Sequence, residues 1–350
     1  MRSRLPLLLT GSLIALVLFL SATTAAIPIS AQTAVTFTPI YLIVTDTMTP
    51  SPTASPIYLI VTSTPQPQYL IVTSTPELPT PINSATAEAR QTLAVVAGYQ
   101  DHFLFRRPFA DNFQTYWARN YSYGSTNEGT LRVHHGIDIS NPPGTPILAA
   151  SGGVVYYAGK DVPVLFGPQP NFYGNVIVIE HPFTDANGQK VYSLYGHLSR
   201  LDVAVGQVVQ AGQTIGIIGA TGVAAGTHLH FEVRVGDPNS YLSSRNPELW
   251  VQPYPYRGVI AGRVLDADGK PLMGVRVEAQ ADTGYQSAYS YGDTEVNGDS
   301  VLGENFVIPD LAEGNYKVFV RQPDKNLYGQ GRVEVRAGHV SWVEFKAVGQ

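Results

Sequence analysis

The stretch GTHLHFEVRVG, Gly226–Gly236, sets two histidines one residue apart inside an apolar-rich run. In a strand, successive side chains point to opposite faces. His228 and His230 then share a face with Glu232, while Leu229, Phe231 and Val233 take the other. Two imidazoles on one face suit a metal site; a half-buried strand with hydrogen-bonded histidines shows the same pattern. The chain has eight histidines. VHHGIDIS supplies His134, His135 and Asp138, and LYGHLS supplies His197. Cysteine is absent, so a metal has only His, Asp and Glu to bind. If VHHGIDIS is extended, His134, Gly136 and Asp138 share a face and His135 points away. Residues four apart converge on one ion only if the strand bends or the ion sits off its end, and Gly136 leaves room for either. His134, Asp138 and one of the HLH pair make three protein ligands. That leaves one tetrahedral position for water, the arrangement of a catalytic zinc site rather than a closed structural one. Zinc lowers the pKa of its water to about 7. A neighbouring imidazole can take the proton, orient the water or stabilise the oxyanion formed when an amide is attacked, each contributing typically about 10²–10⁴-fold.

These residues need rigid strands to hold them. From Tyr99 to Tyr256 short apolar runs such as GGVVYYAG, GNVIVIEH, VYSLYGHL and QTIGIIG alternate with Gly-rich turns. Val, Ile and Tyr dominate, which predicts an all-β, mostly antiparallel domain over 99–256. Asp185–Lys190, DANGQK, carries the Asn-Gly signal of a hairpin turn. Residues 257–350 repeat the strand-and-turn pattern without a titratable cluster and predict a small β-sandwich. His339 there is isolated and is read as a surface residue.

The first 98 residues have a different character. Arg2 and Arg4 precede an apolar run and then small residues, so 1–26 reads as a signal peptide or N-terminal membrane anchor, with a small-residue cleavage point near Ala26 or Ala31. Either places the rest outside the cytoplasm. Residues 27–83 are rich in Pro, Thr and Ser and repeat YLIVT at Tyr41, Tyr58 and Tyr69. They are expected to form a disordered, extended stalk. Residues 84–98 read as one short helix with an Asn/Ser cap and a terminal Gly. The net charge is −5, 14% of residues are charged, and there is no Lys/Arg run, so nucleic-acid binding is not expected.

HHGIDI, followed by GTPILAASGGVV, YGNVIVIEH, YGHLS, VGQVVQAGQTIGIIGATG and GTHLHFEV, resembles the lysostaphin/LytM-type zinc metallopeptidases in order, spacing and glycine positions. The resemblance covers about Pro108 to Val235. It implies a LytM-like β domain, one zinc ion per chain, and His134, Asp138 and His230 as its ligands. It implies His197 and His228 as catalytic histidines flanking the water. It implies an exported peptidase acting on peptidoglycan cross-links or stems, located outside the cell or in the bacterial envelope. The C-terminal domain resembles, more loosely, carboxypeptidase-regulatory or transthyretin-like sandwiches. His135 is expected to support the site or face solvent, His181 to be structural, and Glu232 to be a solvated strand residue, with an orienter of a ligand as the alternative. His102 lies outside the matched region. The loop Gly159–Gly174 is longer and more proline-rich than usual in the family, with Phe166 and Phe172 placed to line a groove. Ser125 stands where an arginine is common in relatives. The alternative is a non-catalytic wall-binding or hydrolase-activating protein on the same fold, against which the complete ligand set argues. A lipoyl-like carrier needs a hairpin lysine, and no lysine occurs between Lys190 and Lys270.

Overall fold

Alternation of apolar and polar residues builds the strands that carry the histidines. The computed structural model describes residues 87–90, 99–162, 164–282, 284–321 and 327–347. The chain divides into two units, Met1–Thr75 and Pro76–Gln350, and every described residue belongs to the second. The expected leader and stalk lie outside the described residues. Among the described residues no helix is long and apolar enough to cross a membrane.

The earliest described strand, β1 (Ala87–Arg90), belongs to a second β body taken up below. The first body holds β2 (Ile137–Ser140), β3 (Pro146–Leu148), β4 (Gly153–Lys160), β5 (Asn175–Thr184), β6 (Lys190–Leu198), β7 (Arg200–Leu201), β8 (Val208–Val209), β9 (Thr214–Ile217), β10 (His228–Val235) and β11 (Ser244–Arg245). Its main sheet runs β11-β10-β6-β5-β4-β8, with β2 also on β10, and β3-β9-β7 form a smaller sheet. Every strand pair here is antiparallel, as the sequence predicts. Asp185 closes the β5–β6 hairpin by accepting from the Asn187 and Gln189 amides at 3.0 and 2.8 Å. On β10, Leu229, Phe231 and Val233 are fully buried in a core with Ile137, Ile139 and Tyr195, so the opposite face is free for the polar residues.

The second body holds β12 (Arg257–Leu265), β13 (Arg276–Ala281), β14 (Gly284–Tyr289), β15 (Phe306–Ala312), β16 (Gly314–Arg321), β17 (Leu327–Val335) and β18 (Val340–Lys346). β14-β13-β16-β17 form one run and β18-β12-β15 another, and β1 lies between β17 and β18. Both runs face one core that includes Val264, Val277, Phe306, Val318 and Phe345. This is the expected sandwich, with its two sheets bridged along one edge by β1. Ala87–Arg90 are therefore strand and not part of the helix expected over 84–98; the other residues of that segment lie outside the described residues. Ala, Glu and Arg favour helix, but β1 pairs in parallel with β17 and antiparallel with β18, and ladders on both sides outweigh a weak local preference.

The two bodies share apolar packing. Val259, Ala261, Val307 and Trp342 of the second join the same core as Phe105, Trp250 and Val251 of the first. Arg107 reaches across to Asp310, donating to its two carboxylate oxygens at 2.7 and 2.8 Å.

Candidate metal centre

Register brings the expected ligands together. His230 on β10 is the cross-strand partner of Asp138 on β2 and, on its other side, of Gly196 on β6. His134 precedes β2, and the chain bends between them. Gly136 sits at the bend, pressed onto β10: a Cβ there would lie 2.4 Å from Phe231 O and 2.9 Å from His230 Nε2. Only glycine lets the chain pass so close, and the bend lets His134 and Asp138 converge. His134 Nε2 lies 3.2 Å from Asp138 Oδ1 and 3.1 Å from His230 Nδ1, and His230 Nδ1 lies 2.9 Å from Asp138 Oδ1. Together the three residues offer ligand atoms that all lie within 4.8 Å of one another.

The remaining ring nitrogens decide what this cluster fits. His134 Nδ1 is 2.7 Å from the Tyr121 carbonyl oxygen. A carbonyl only accepts, so Nδ1 carries the hydrogen and Nε2 presents a lone pair. His230 Nε2 is 3.0 Å from Glu232 Oε1, so it is the donor there and Nδ1 presents the lone pair. Two lone pairs and a carboxylate oxygen thus face one point. Such a set repels itself unless a cation or shared proton lies among them, so the donors fit a divalent metal with nitrogen and oxygen ligands.

Behind His230 lies a buried polar network. Glu232 is fully buried and accepts from Arg234 Nε at 2.7 Å and from the Tyr173 hydroxyl. Arg234, also fully buried, donates to Pro238 O at 2.8 Å and Phe166 O at 3.0 Å. Burial would raise the Glu232 carboxyl, but Arg234 and His230 hold it well below its usual range. Burial would likewise raise Asp138, and His134 and His230 keep it ionised. Burial would lower His230, and its hydrogen bonds to Asp138 and Glu232 outweigh that and lift it to about 9, so without a cation a proton on Nδ1, shared with Asp138, takes the place of the lone pair.

His228 and His197 stand beside the three. His228 Nε2 is 3.7 Å from Asp138 Oδ1, and its Nδ1 is 2.8 Å from Gly226 O. The His197 ring centroid lies 4.7 Å from that of His228 and 5.8 Å from that of His230. His197 occupies the left-handed region at φ 66°, a placement costing of order 1–3 kcal/mol for a side chain of this size. It is held there by its amide, which donates to Tyr173 O at 2.8 Å, and by its Nδ1, 2.8 Å from Thr221 O. In both residues Nδ1 faces a carbonyl, so Nε2 carries the lone pair. Burial, then His230 and His228, push the His197 imidazole down to about 3, so it is neutral at physiological pH.

Two expectations are corrected here. Glu232 is not solvated; it orients His230. Phe166 lines no groove: it is fully buried in a cluster with Tyr173, Val176 and Leu194, and only Phe172 of the pair is partly exposed. The long loop is folded onto the sheet because Asp161 accepts from the Phe166 and Tyr173 amides at 2.8 and 3.0 Å. Tyr121, whose ring stacks on His134 with centroids 4.1 Å apart, was not singled out from the sequence, nor were Tyr173 and Arg234. His135 is buried, stacked on Tyr241 and bonded through Nδ1 to Ser244 Oγ at 3.0 Å. His181 is structural, bonded to Gly152 O and Ser193 Oγ. His339 is half exposed, with Nδ1 2.7 Å from Asp101.

Residues 132–241 match the description of peptidase family M23. This part of the chain is a peptidase family M23 domain. The match spans the bend at Gly136 and all five histidine and aspartate positions of the cluster. The M23 domain is 40% identical over 119 residues to the DD-carboxypeptidase/endopeptidase Mpg of Neisseria meningitidis, covering 34% of this chain and 24% of that protein. It is 38% identical over 107 residues to the peptidoglycan DD-endopeptidase ShyC of Vibrio cholerae, covering 31% of this chain and 21% of that one. The chain thus spans about a quarter of the length of these curated relatives. Among solved structures, the catalytic domain of the prophage-encoded M23 protein EnpA of Enterococcus faecalis matches at 30% identity and a TM-score of 0.33, over 41% of this chain and 95% of that domain.

Proposed function

We propose that the protein is an exported zinc metalloendopeptidase that hydrolyses peptide bonds in bacterial peptidoglycan. The observation that carries this reading is the convergence of His134 Nε2, Asp138 Oδ1 and His230 Nδ1 with their other ring nitrogens already committed. One zinc ion per chain would be held by these three residues. When bound, it would supply Lewis acidity, making water acidic near neutral pH and polarising a carbonyl. His197 and His228 each keep Nε2 free. A neutral imidazole there accepts a proton from the attacking water and returns it to the leaving amine. Either imidazole donates to the developing oxyanion only once its Nε2 has taken up a proton. The Tyr121 ring, stacked on His134, covers one face of that ligand. The substrate class follows from the relatives named above, and export from the leader-like N-terminus.

The test uses the full chain: zinc content by elemental analysis, and release of soluble fragments from purified peptidoglycan with and without a chelator. The expected result is one zinc per chain and release that the chelator abolishes. Asp138→Ala is expected to lose zinc. His228→Ala is expected to keep zinc and lose release by about 10²-fold or more. Zinc retention without any release would instead identify a wall-binding or activating protein. Release indifferent to the chelator would refute the metal assignment.

A further inference from the structure

The first expected ligand, His134, lies on no strand. Its position is set by the turn that precedes it. His134 N donates to Ser125 O at 3.0 Å, and Gly124 N donates to His134 O at 2.8 Å. The segment 122–125 is therefore the backbone partner of His134, and whatever fixes Gly124 helps fix the backbone from which the imidazole projects.

Gly124 is fixed from the second β body. Gly292 N donates to Gly124 O at 2.7 Å. The Tyr291 ring lies directly on Gly124: a Cβ at that residue would be 2.2 Å from the ring, and φ of +75° already demands glycine. Tyr291 meets Tyr123 edge to face with centroids 5.3 Å apart, in a buried cluster with Val133 and Val296. The Tyr123 hydroxyl accepts from Asn297 N at 3.0 Å and lies 3.0 Å from Ser244 O, the residue whose hydroxyl holds His135. At the far end of the turn the Tyr289 hydroxyl donates to Glu128 at 2.6 Å. Four residues of the sandwich thus hold the turn along its length, and only two hydrogen bonds separate Gly292 from the His134 backbone.

We infer that the C-terminal sandwich is a fixed part of the metal centre, its Tyr291 and Gly292 acting as positioning residues that set His134 through Tyr123 and Gly124. The inference rests on the proposed zinc reading for its metal arm alone. A sandwich serving only to bind the wall or to space the enzyme from it has no need of these contacts. The coupling also makes the two bodies one working unit: loosening this one contact loosens one ligand.

The experiment compares full-chain Tyr291→Ala, Tyr291→Phe and Val318→Ala. Val318 is buried in the sandwich core away from the turn and reports general destabilisation. Two quantities are read well below the unfolding temperature: hydrogen exchange at the Gly124 and His134 amides, and zinc affinity by chelator competition. Tyr291→Ala is expected to speed exchange at both amides and weaken zinc by about tenfold or more, the usual effect of removing a group that orients a ligand. Tyr291→Phe, which keeps the ring, is expected to restore both, and Val318→Ala to change neither. If Tyr291→Ala fails to fold, Gly124→Ala presses on the same contact from the other side and is expected to act alike. Unchanged exchange in Tyr291→Ala, or an equal change in Val318→Ala, overturns the inference. Wild-type protein that takes up no zinc would overturn the metal reading instead, and the exchange arm still decides this one.

Discussion

Each imidazole at the centre has one nitrogen committed to an acceptor, and that is what makes four histidines into a site rather than a cluster. Glu232 performs this for His230 and is itself held by Arg234, with all three buried. Glu232→Gln leaves the Arg234 guanidinium buried without its counter-charge. The expected cost is about 3–5 kcal/mol of stability, because an uncompensated buried charge is expensive. Adding Arg234→Met removes the orphaned charge and is expected to recover most of that loss. Metal affinity is expected to fall about 10- to 100-fold in the single variant, since a neutral amide accepts more weakly from the His230 N–H. Denaturant unfolding and chelator competition on the three proteins check this. Equal stability of wild type and Glu232→Gln would mean that the ion pair carries nothing.

At the scale of elements, the bend before β2 converts a sequence spacing into a metal geometry. Gly136→Ala would drive a Cβ into Phe231 O and the His230 ring. The expected cost is about 1–3 kcal/mol, with loss of tight metal uptake as His134 moves away. Gly226→Ala on the same rim meets nothing within 4 Å and is expected to be neutral, so the pair separates crowding from loss of flexibility. The same comparison shows what was legible in the sequence. The alternation in HLHFEV placed Leu229, Phe231 and Val233 in the core and put the histidines on the opposite face, because strand period is a local property. The roles of Gly136 and β1 could be read only in part. Gly136 was expected to leave room, but the strand pressing on it lies 95 residues away in Phe231. β1 reads locally as helix because its partners, β17 and β18, are at the other end of the chain. Arg234 and Tyr173, 61 residues apart, meet only once β6 and the long loop lie over β10. No local pattern encodes such contacts.

At the scale of the molecule, the junction between the two β bodies buries carboxyl groups that no cation neutralises closely. Glu304 accepts from the Tyr291 hydroxyl at 2.8 Å, and Asn246 of the first body donates to that hydroxyl at 3.1 Å. Glu248 accepts from Trp117 Nε1 at 2.7 Å. Burial lifts Glu304 to about 8 and Glu248 to about 7. In the unfolded chain both ionise near the ordinary glutamate value of about 4.3. Between that value and their raised ones the folded protein holds protons that the unfolded chain has released, so stability falls as pH rises. Their contribution is complete below the unfolded value and gone once pH passes about 8. Burial lowers His135 and His181 to about 4 and His197 to about 3, which acts in the opposite sense but only below the ordinary histidine value of about 6.5. His230, lifted to about 9, acts in the same sense as the glutamates, so the wild-type slope alone does not isolate them. The Glu248→Gln/Glu304→Gln double variant does, because His230 is common to both proteins. Wild type is expected to lose stability between pH 6.5 and 8.5, and the variant to lose less, by denaturant midpoint at each pH. Parallel curves for the two proteins would show that the junction carboxyls are already ionised in the fold, and the pH response would then belong to the metal centre.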